Sequence, residues 1–174
     1  MGILSKLRDT FTGTKRPSSD TPVLSADALK ERMMAVNRET APFVIRRAEH
    51  NEEGDFLAEW KIVDAKWYEI FSKAGLKKVF RIHMKIDEEK KEVRALDKEF
   101  SISWKAGVPS LSFSASAFKG QKMEVSGGTA YAFTEEFKPG QVYKYRFDTR
   151  ELKKPLQEAI TGAGWTYRGV ISLE

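Results

Sequence analysis

Apolar and polar residues alternate with a period of two along the segment from residue 76 to residue 104. The apolar positions of its first half are Phe80, Ile82, Met84 and Ile86, and the polar ones are Arg81, His83 and Lys85. Such alternation is typical of a strand with one buried and one solvated face. The charged run 87–91 predicts a solvated turn, after which the alternation resumes. The segment therefore predicts two antiparallel strands at the centre of a sheet.

This alternation also assigns side chains to the two faces of the sheet. We expect burial of Phe80, Ile82, Met84, Ile102, Trp104, Leu111 and Phe113. We expect exposure of Arg81, His83, Lys85, Ser101 and Ser103.

Shorter alternating runs predict the remaining strands. Residues 43–48 and 55–64 predict a hairpin, and 110–117 predicts a strand after the Gly107-Val108-Pro109 turn. Lys119-Gly120 predicts a turn into a strand at 121–126. Residues 129–134 and 141–147 predict strands on either side of Lys138-Pro139-Gly140. Residues 165–173 predict a last strand. Together these segments predict a meander of about six strands from residue 77 to residue 147, followed by one more strand.

Helical periodicity predicts four helices. Ser25 is placed to cap a helix with Leu29, Met33 and Val36 on one side. The other helices are expected within residues 1–11, after Asp64, and from Asp148 or Thr149 to Gly162.

We predict an α+β fold: a strongly curved, mostly antiparallel meander sheet, or partly open barrel, covered by a C-terminal helix, with a short N-terminal helical extension. The order of strand, helix, six strands and helix resembles the helix-grip domains, a resemblance that implies an apolar ligand between sheet and helix. A closed barrel around the last helix, similar to the tubby and scramblase-like proteins, is the other topology left open.

The chain has 174 residues, of which 41% are hydrophobic, enough for one ordinary core. A segment rich in Ser, Thr, Pro and charge follows the first predicted helix. We therefore expect an amphipathic tail and flexible linker at 1–22 and a single domain at 23–174.

Ile3, Leu4, Leu7 and Phe11 recur at helical spacing in the first segment, beside several cations. This pattern is typical of an interfacial helix on an anionic surface, and also of a tail helix packed on its own domain or on a protein partner. Cations of the polar sheet face are candidates for the same contact. The predicted anionic-surface residues are Lys6, Arg8, Lys15, Arg16, Arg81, Lys85 and Arg94.

Candidate chemistry is sparse. The chain has no Cys, which excludes disulfides and thiolate chemistry, and its imidazoles are His50 and His83 alone. We expect no metal site and no cofactor, because no ligand or phosphate-loop motif is present. Paired carboxylates can act without a motif, and Glu59, Glu69 and Glu124 are candidates for such an acid and base.

These observations favour a non-enzymatic binding module, which either holds a small apolar ligand between sheet and helix or contacts a protein or an anionic surface. An enzyme with a carboxylate acid/base pair and a weak nucleic-acid binder are the alternatives. The net charge of +5 is mild, so nucleic acid is an unfavoured partner, and no oligomeric state is indicated. We expect a cytoplasmic protein, with peripheral membrane contact left open, because no segment has the length of an apolar span.

Overall fold

A computed structural model describes residues 2–62, 64, 67, 71, 78–106, 108–112, 119–120, 131–134, 142–145 and 149–174 of the chain. Its helices are α1 (Ile3–Thr12), α2 (Ala26–Met34) and α3 (Thr149–Gly162). Ser25 caps α2 as the sequence predicts, since its hydroxyl accepts a hydrogen bond from the Ala28 amide at 3.2 Å. Of the helix expected after Asp64, only Asp64, Trp67 and Phe71 lie among the described residues.

The described residues include nine strands. Their bounds are β1 (Phe43–Arg47), β2 (Phe56–Trp60), β3 (Lys78–Asp87), β4 (Glu92–Lys105), β5 (Val108–Ser112), β6 (Lys119–Gly120), β7 (Tyr131–Thr134), β8 (Val142–Tyr145) and β9 (Thr166–Gly169). The central pair β3–β4 and the hairpin β1–β2 are confirmed predictions.

The main sheet has the order β1-β2-β3-β4-β5, and all of these neighbours are antiparallel. On the edge opposite β3, the long strand β4 pairs not only with β5 but also with β6 and, in parallel, with β9. In the described part of the chain β1 pairs with β2 alone, so the sheet is not closed into a barrel. The α+β class, the mostly antiparallel sheet and the two terminal helices are thus confirmed.

Three details differ from the sequence predictions. Lys119 and Gly120 form a short strand on β4 where the sequence predicts a turn. Strands β7 and β8 form the expected hairpin, but as a separate two-stranded sheet, so the meander is interrupted. Strand β9 returns to the middle of the chain and pairs with the start of β4. Local alternation cannot predict such long-range pairings, because it carries no information about which strand a segment joins.

We call the face of the sheet that carries Ala58, Ile82 and Ala95 the inner face, and the face that carries Leu57, His83 and Leu96 the outer face. Cross-strand register places each set side by side on β2, β3 and β4. Helices α2 and α3 cover the inner face with fully buried side chains, namely Leu29, Met33, Leu152, Leu156 and Ile160. Met33 therefore packs in the core, as predicted from its helical position.

The apolar positions of β4 change face midway along the strand. Val93 and Ala95 are buried on the inner face, whereas Ile102 lies on the opposite face by alternation. Of the predicted buried set, Ile82, Met84 and Ile102 are buried and Trp104 is partly buried. The side chains of Phe80, Leu111 and Phe113 lie outside the described residues. Lys85 and Ser103 are exposed as predicted, and Arg81 and Ser101 are partly buried.

Ile82 is fully buried at the centre of the inner face, opposite Ala58. Truncation by Ile82→Ala is expected to lower the free energy of unfolding by roughly 2 to 5 kcal/mol, because it removes buried methyl groups and leaves a cavity. Urea denaturation measures this loss. Val108→Ala is the matched control, since Val108 is 61% exposed, and it is expected to change stability by less than about 0.5 kcal/mol. A similar loss in both variants would contradict the burial of Ile82.

Candidate surface-binding site

Helix α1 displays its apolar side chains to solvent. Ile3 is 80% exposed, Leu4 83%, Leu7 52% and Phe11 81%, and no residue of the helix is buried. Gly2 precedes the helix, and Gly13 ends it with a left-handed backbone (φ 66°), a conformation that glycine adopts without strain. The exposed row is therefore an intact helical surface.

Cations stand on both flanks of this apolar row. Successive residues of an α-helix are rotated by about 100°, so the four apolar side chains form one sector, with Lys6 on one side and Arg8 on the other. Both cations are exposed. We call Ile3, Leu4, Leu7 and Phe11 the apolar row, and this row with Lys6 and Arg8 the α1 face. The α1 face combines the two features of an interfacial helix, which are an apolar sector and flanking positive charge.

The opposite side of α1 is polar and less exposed. Asp9 lies there, and its carboxylate accepts hydrogen bonds from Arg16 Nε at 2.6 Å and Arg16 Nη2 at 3.2 Å. The hydrogen bond from Arg16 lowers the pKa of Asp9 below its ordinary value. Ser5 and Thr12 lie on the same side and are partly buried. The helix therefore turns its polar side inward and its apolar row outward, the reverse of a helix that packs on its own core.

A short connection joins α1 to the sheet. Lys15 and Tyr167 exchange two backbone hydrogen bonds of 2.8 Å, which adds residue 15 to the edge of β9. Thr14 is buried, and its hydroxyl accepts a hydrogen bond from the Gly169 amide at 3.2 Å. Because only Gly13 separates α1 from these contacts, the helix is held next to β9.

The remaining predicted cations lie on the outer face of the sheet, where two of them have other contacts. Arg81 forms an ion pair with Glu59 at 2.8 Å, and its guanidinium lies 4.7 Å from the centre of the Phe100 ring. Arg94 donates to the carbonyl oxygens of the last three residues, 172–174. Lys85 is exposed and lies opposite Arg94 in the register. The structure thus places Lys6, Arg8, Lys15 and Arg16 in or directly after α1, and places the other three on the outer face of the sheet.

Arg168 lies near the α1 cations and is not among the predicted surface residues. It lies opposite Arg94 in the β4–β9 register, is ion-paired with Glu92 at 3.1 Å, and its charge helps to lower the pKa of Asp9. The pairing of Lys15 with β9 is what brings Arg168 close to α1. No signal in the sequence predicts that long-range bridge.

His83 is buried, which corrects the prediction of an exposed strand residue. Its exposed fraction is 5%, and Nδ1 lies 3.0 Å from the Glu53 carbonyl oxygen. Because a carbonyl only accepts, Nδ1 carries the proton. Nε2 is then a buried acceptor that has no hydrogen-bond partner in the described part of the chain. The missed signal was Leu57 and Leu96, which flank His83 on the same face of the sheet and make it partly apolar.

The segment between β1 and β2 covers His83 and is held by ion pairs. Arg46 donates to Glu52 at 2.6 Å and to Glu59 at 2.8 Å, and Lys98 pairs with Glu53. The hydrogen bond from Arg46 lowers the pKa of Glu52 to about 2. Glu59, a candidate catalytic carboxylate, is therefore held between two arginines, Arg46 and Arg81. Glu69 and Glu124 lie outside the described residues.

Burial lowers the pKa of His83 below its ordinary value of 6.5. The unfolded chain then binds this proton more readily than the folded chain, so the contribution of His83 to stability is complete above pH 6.5 and declines as the pH falls below it. We expect wild type to lose stability between pH 7.5 and 5 with a slope of at most about 1.4 kcal/mol per pH unit. Urea denaturation of wild type and of His83→Leu across this pH range measures how much of the pH dependence comes from His83. Identical pH profiles would contradict the buried neutral imidazole.

A buried ionic cluster lies where α3 crosses the inner face. Lys153 of α3 pairs with Asp97 of β4, and both side chains are buried. Tyr167 is fully buried, and its hydroxyl has no hydrogen-bond partner among the described residues. Burial, and to a smaller extent the charge of Asp97, raises the pKa of that hydroxyl. The cluster ties α3 to β4.

Two features of the described residues bear on the other candidate functions. Across these ranges no three His, Asp or Glu side chains come together at metal-binding spacing. In the same part of the chain no helix combines the length and apolar character needed to cross a membrane.

Comparison with known proteins gives no assignment for this arrangement. Neither a protein-family model, nor a curated protein sequence, nor a solved structure matches the chain.

Proposed function

We propose that the protein is a peripheral binding module that attaches reversibly to anionic lipid surfaces through the α1 face. The observation that carries this proposal is the outward orientation of the apolar row. Its four side chains are 52 to 83% exposed, while Asp9 on the polar side of the same helix pairs with Arg16 in the segment that joins α1 to β9. An apolar sector between cations fits the boundary between headgroups and acyl chains.

Two contributions of similar size support the attachment. Full burial of a Leu, Ile or Phe side chain contributes roughly 1.5 to 3 kcal/mol, although insertion at an interface buries each only in part. Each cation near an anionic surface contributes about 1 kcal/mol. Lys6, Arg8 and Lys15 are exposed, whereas Arg16 is ion-paired with Asp9. Because neither contribution is large, we expect weak and reversible binding.

The connection to β9 gives the module a defined orientation on the surface. Thr14 and Lys15 fix α1 beside β9, so insertion of the apolar row brings that edge of the sheet to the lipid. Arg168 lies on this edge, and its side chain is partly exposed. A small apolar ligand beneath α3 has less support, because Leu152, Leu156 and Ile160 of α3 are fully buried in the same apolar cluster as the inner face of the sheet.

Co-sedimentation with vesicles tests the proposal. The full chain is expected to bind vesicles that contain phosphatidylserine or phosphatidylglycerol more tightly than phosphatidylcholine vesicles, and the binding is expected to fall with added salt. Removal of residues 1–12 is expected to abolish binding, because it removes the α1 face but keeps Lys15 on β9. Unchanged far-UV circular dichroism, apart from the lost helix, shows that the domain remains folded.

Undiminished binding by the shortened chain would contradict the role of α1. The basic residues Arg81, Lys85 and Arg94 of the outer face would then become the candidates. Equal binding to neutral and anionic vesicles would contradict the role of charge.

A further inference from the structure

A cleft of about 490 Å³ opens where α2, β1, β2 and the β3–β4 turn meet. Its volume lies within the range of small-molecule sites. The lining residues are Lys30, Arg47, Ala48, Gly54, Asp55, Phe56, Ile86 and Glu88. None of them belongs to the α1 face, so the cleft is a separate feature of the molecule.

Charges of opposite sign line different sides of this cleft, with cations on its α2–β1 side and carboxylates on its β2–β3 side. We call these two sides its walls. The cations are Lys30 of α2 and Arg47 at the end of β1. The carboxylates belong to Asp55, directly before β2, and Glu88, in the turn after β3. Asp55 is turned towards β3, since its Oδ2 accepts a hydrogen bond from the Ile86 amide at 2.8 Å.

The two walls do not neutralise each other. Among these four described residues, neither cation forms an ion pair with either carboxylate across the cleft. Lys30 instead approaches Asp27 on its own helix at 3.3 Å. The guanidinium of Arg47 lies 5.8 Å from the centre of the Phe56 ring, a contact that holds it over the cleft. A small molecule that carries both charges would pair with the cations and with the carboxylates at the same time.

We propose that the cleft binds a compact zwitterion, a molecule with one anionic group for Arg47 and Lys30 and one ammonium group for Asp55 and Glu88. Bidentate hydrogen bonding by Arg47 suits a carboxylate or a phosphate. Phe56 and Ile86 supply an apolar floor between the charged walls, which favours a short aliphatic part. A free amino acid and a phosphoethanolamine group share this chemistry. The proposal does not depend on lipid binding by α1.

Chemical-shift titration of the full chain tests the site with four probes. L-leucine and O-phosphoethanolamine carry both charges, whereas N-acetyl-L-leucine lacks the ammonium and L-leucinamide lacks the carboxylate. We expect at least one zwitterion to bind saturably with a Kd of roughly 1 mM or below, with the largest shifts at residues 47–56 and 86–88. Binding of leucine alone indicates an amino acid, and binding of phosphoethanolamine alone indicates a phosphate ester.

Variants on each wall separate this site from nonspecific binding. Arg47→Gln and Glu88→Gln are each expected to lower the affinity for the zwitterion about tenfold, because each removes one charged partner. Glu89→Gln is the matched control, since Glu89 is the exposed neighbour of Glu88 and does not line the cleft.

Absence of saturable binding by both zwitterions would overturn the proposal. Equal affinity for leucine and for either singly charged analogue would also overturn it, because one wall would then be unused. Neither result bears on vesicle binding, which is measured independently.

Discussion

Replacement of Lys153 with methionine alone is expected to lower the free energy of unfolding by roughly 3 to 5 kcal/mol. Lys153 pairs with Asp97 between α3 and β4, where both side chains are buried. Methionine preserves the packing of the aliphatic stem but removes the ammonium, so the Asp97 carboxylate stays buried and loses its ion pair with Lys153. Equilibrium urea denaturation measures the loss.

The double variant Asp97→Leu/Lys153→Met is the informative comparison. A buried ion pair contributes little net stability over an apolar pair of similar size, so the double variant is expected to recover most of the loss. Lys154→Met is the control for the substitution itself, because the neighbouring Lys154 is exposed. A single-variant loss below about 1 kcal/mol would mean that Asp97 and Lys153 are not paired in a buried site.

Replacement of Leu4 and Phe11 with glutamine is expected to reduce affinity for anionic vesicles by at least about tenfold, because it removes the two most exposed side chains of the apolar row. The substitution adds no charge, so any loss reports the apolar contribution alone. Vesicle titration followed by sedimentation measures the affinity. Stability in urea is expected to change by less than about 0.5 kcal/mol, since neither side chain is buried.

Ser5→Gln is the matched control on the polar side of α1 and is expected to bind as wild type does. Lys6→Gln/Arg8→Gln tests the charged flanks and is expected to weaken both the binding and its dependence on salt. Full affinity of the Leu4 and Phe11 variant would contradict insertion of the apolar row.

Local patterns in the sequence predicted most of the elements. The alternation of residues 80–86 predicted β3, and Ser25 predicted the start of α2, because both depend on neighbours within a few positions. The pairing of β9 with β4 and of Lys15 with Tyr167 could not be predicted, since these contacts join segments more than 70 residues apart in the chain.

The candidate site was predicted only in part, because local spacing predicts the residues of α1 but not its long-range contacts. Helical spacing predicted the apolar row of α1, but the orientation of that row depends on Asp9 and Arg16 and on the bridge to β9. The burial of His83 on the outer face was not predicted, because the residues around it in β3 alternate between polar and apolar. Only its neighbours Leu57 and Leu96 show that His83 lies among apolar side chains.

Site-specific labelling of α1 gives the most direct test of lipid binding. The chain has no cysteine, so Leu4→Cys and Ser5→Cys each provide a single attachment point for an environment-sensitive fluorophore. On addition of phosphatidylserine vesicles, the label at position 4 is expected to shift to shorter wavelength and to become accessible to quenchers in the acyl chains. The label at position 5, on the polar side of α1, is expected to change little. Equal responses at the two positions, or no response at position 4, would contradict attachment through the α1 face.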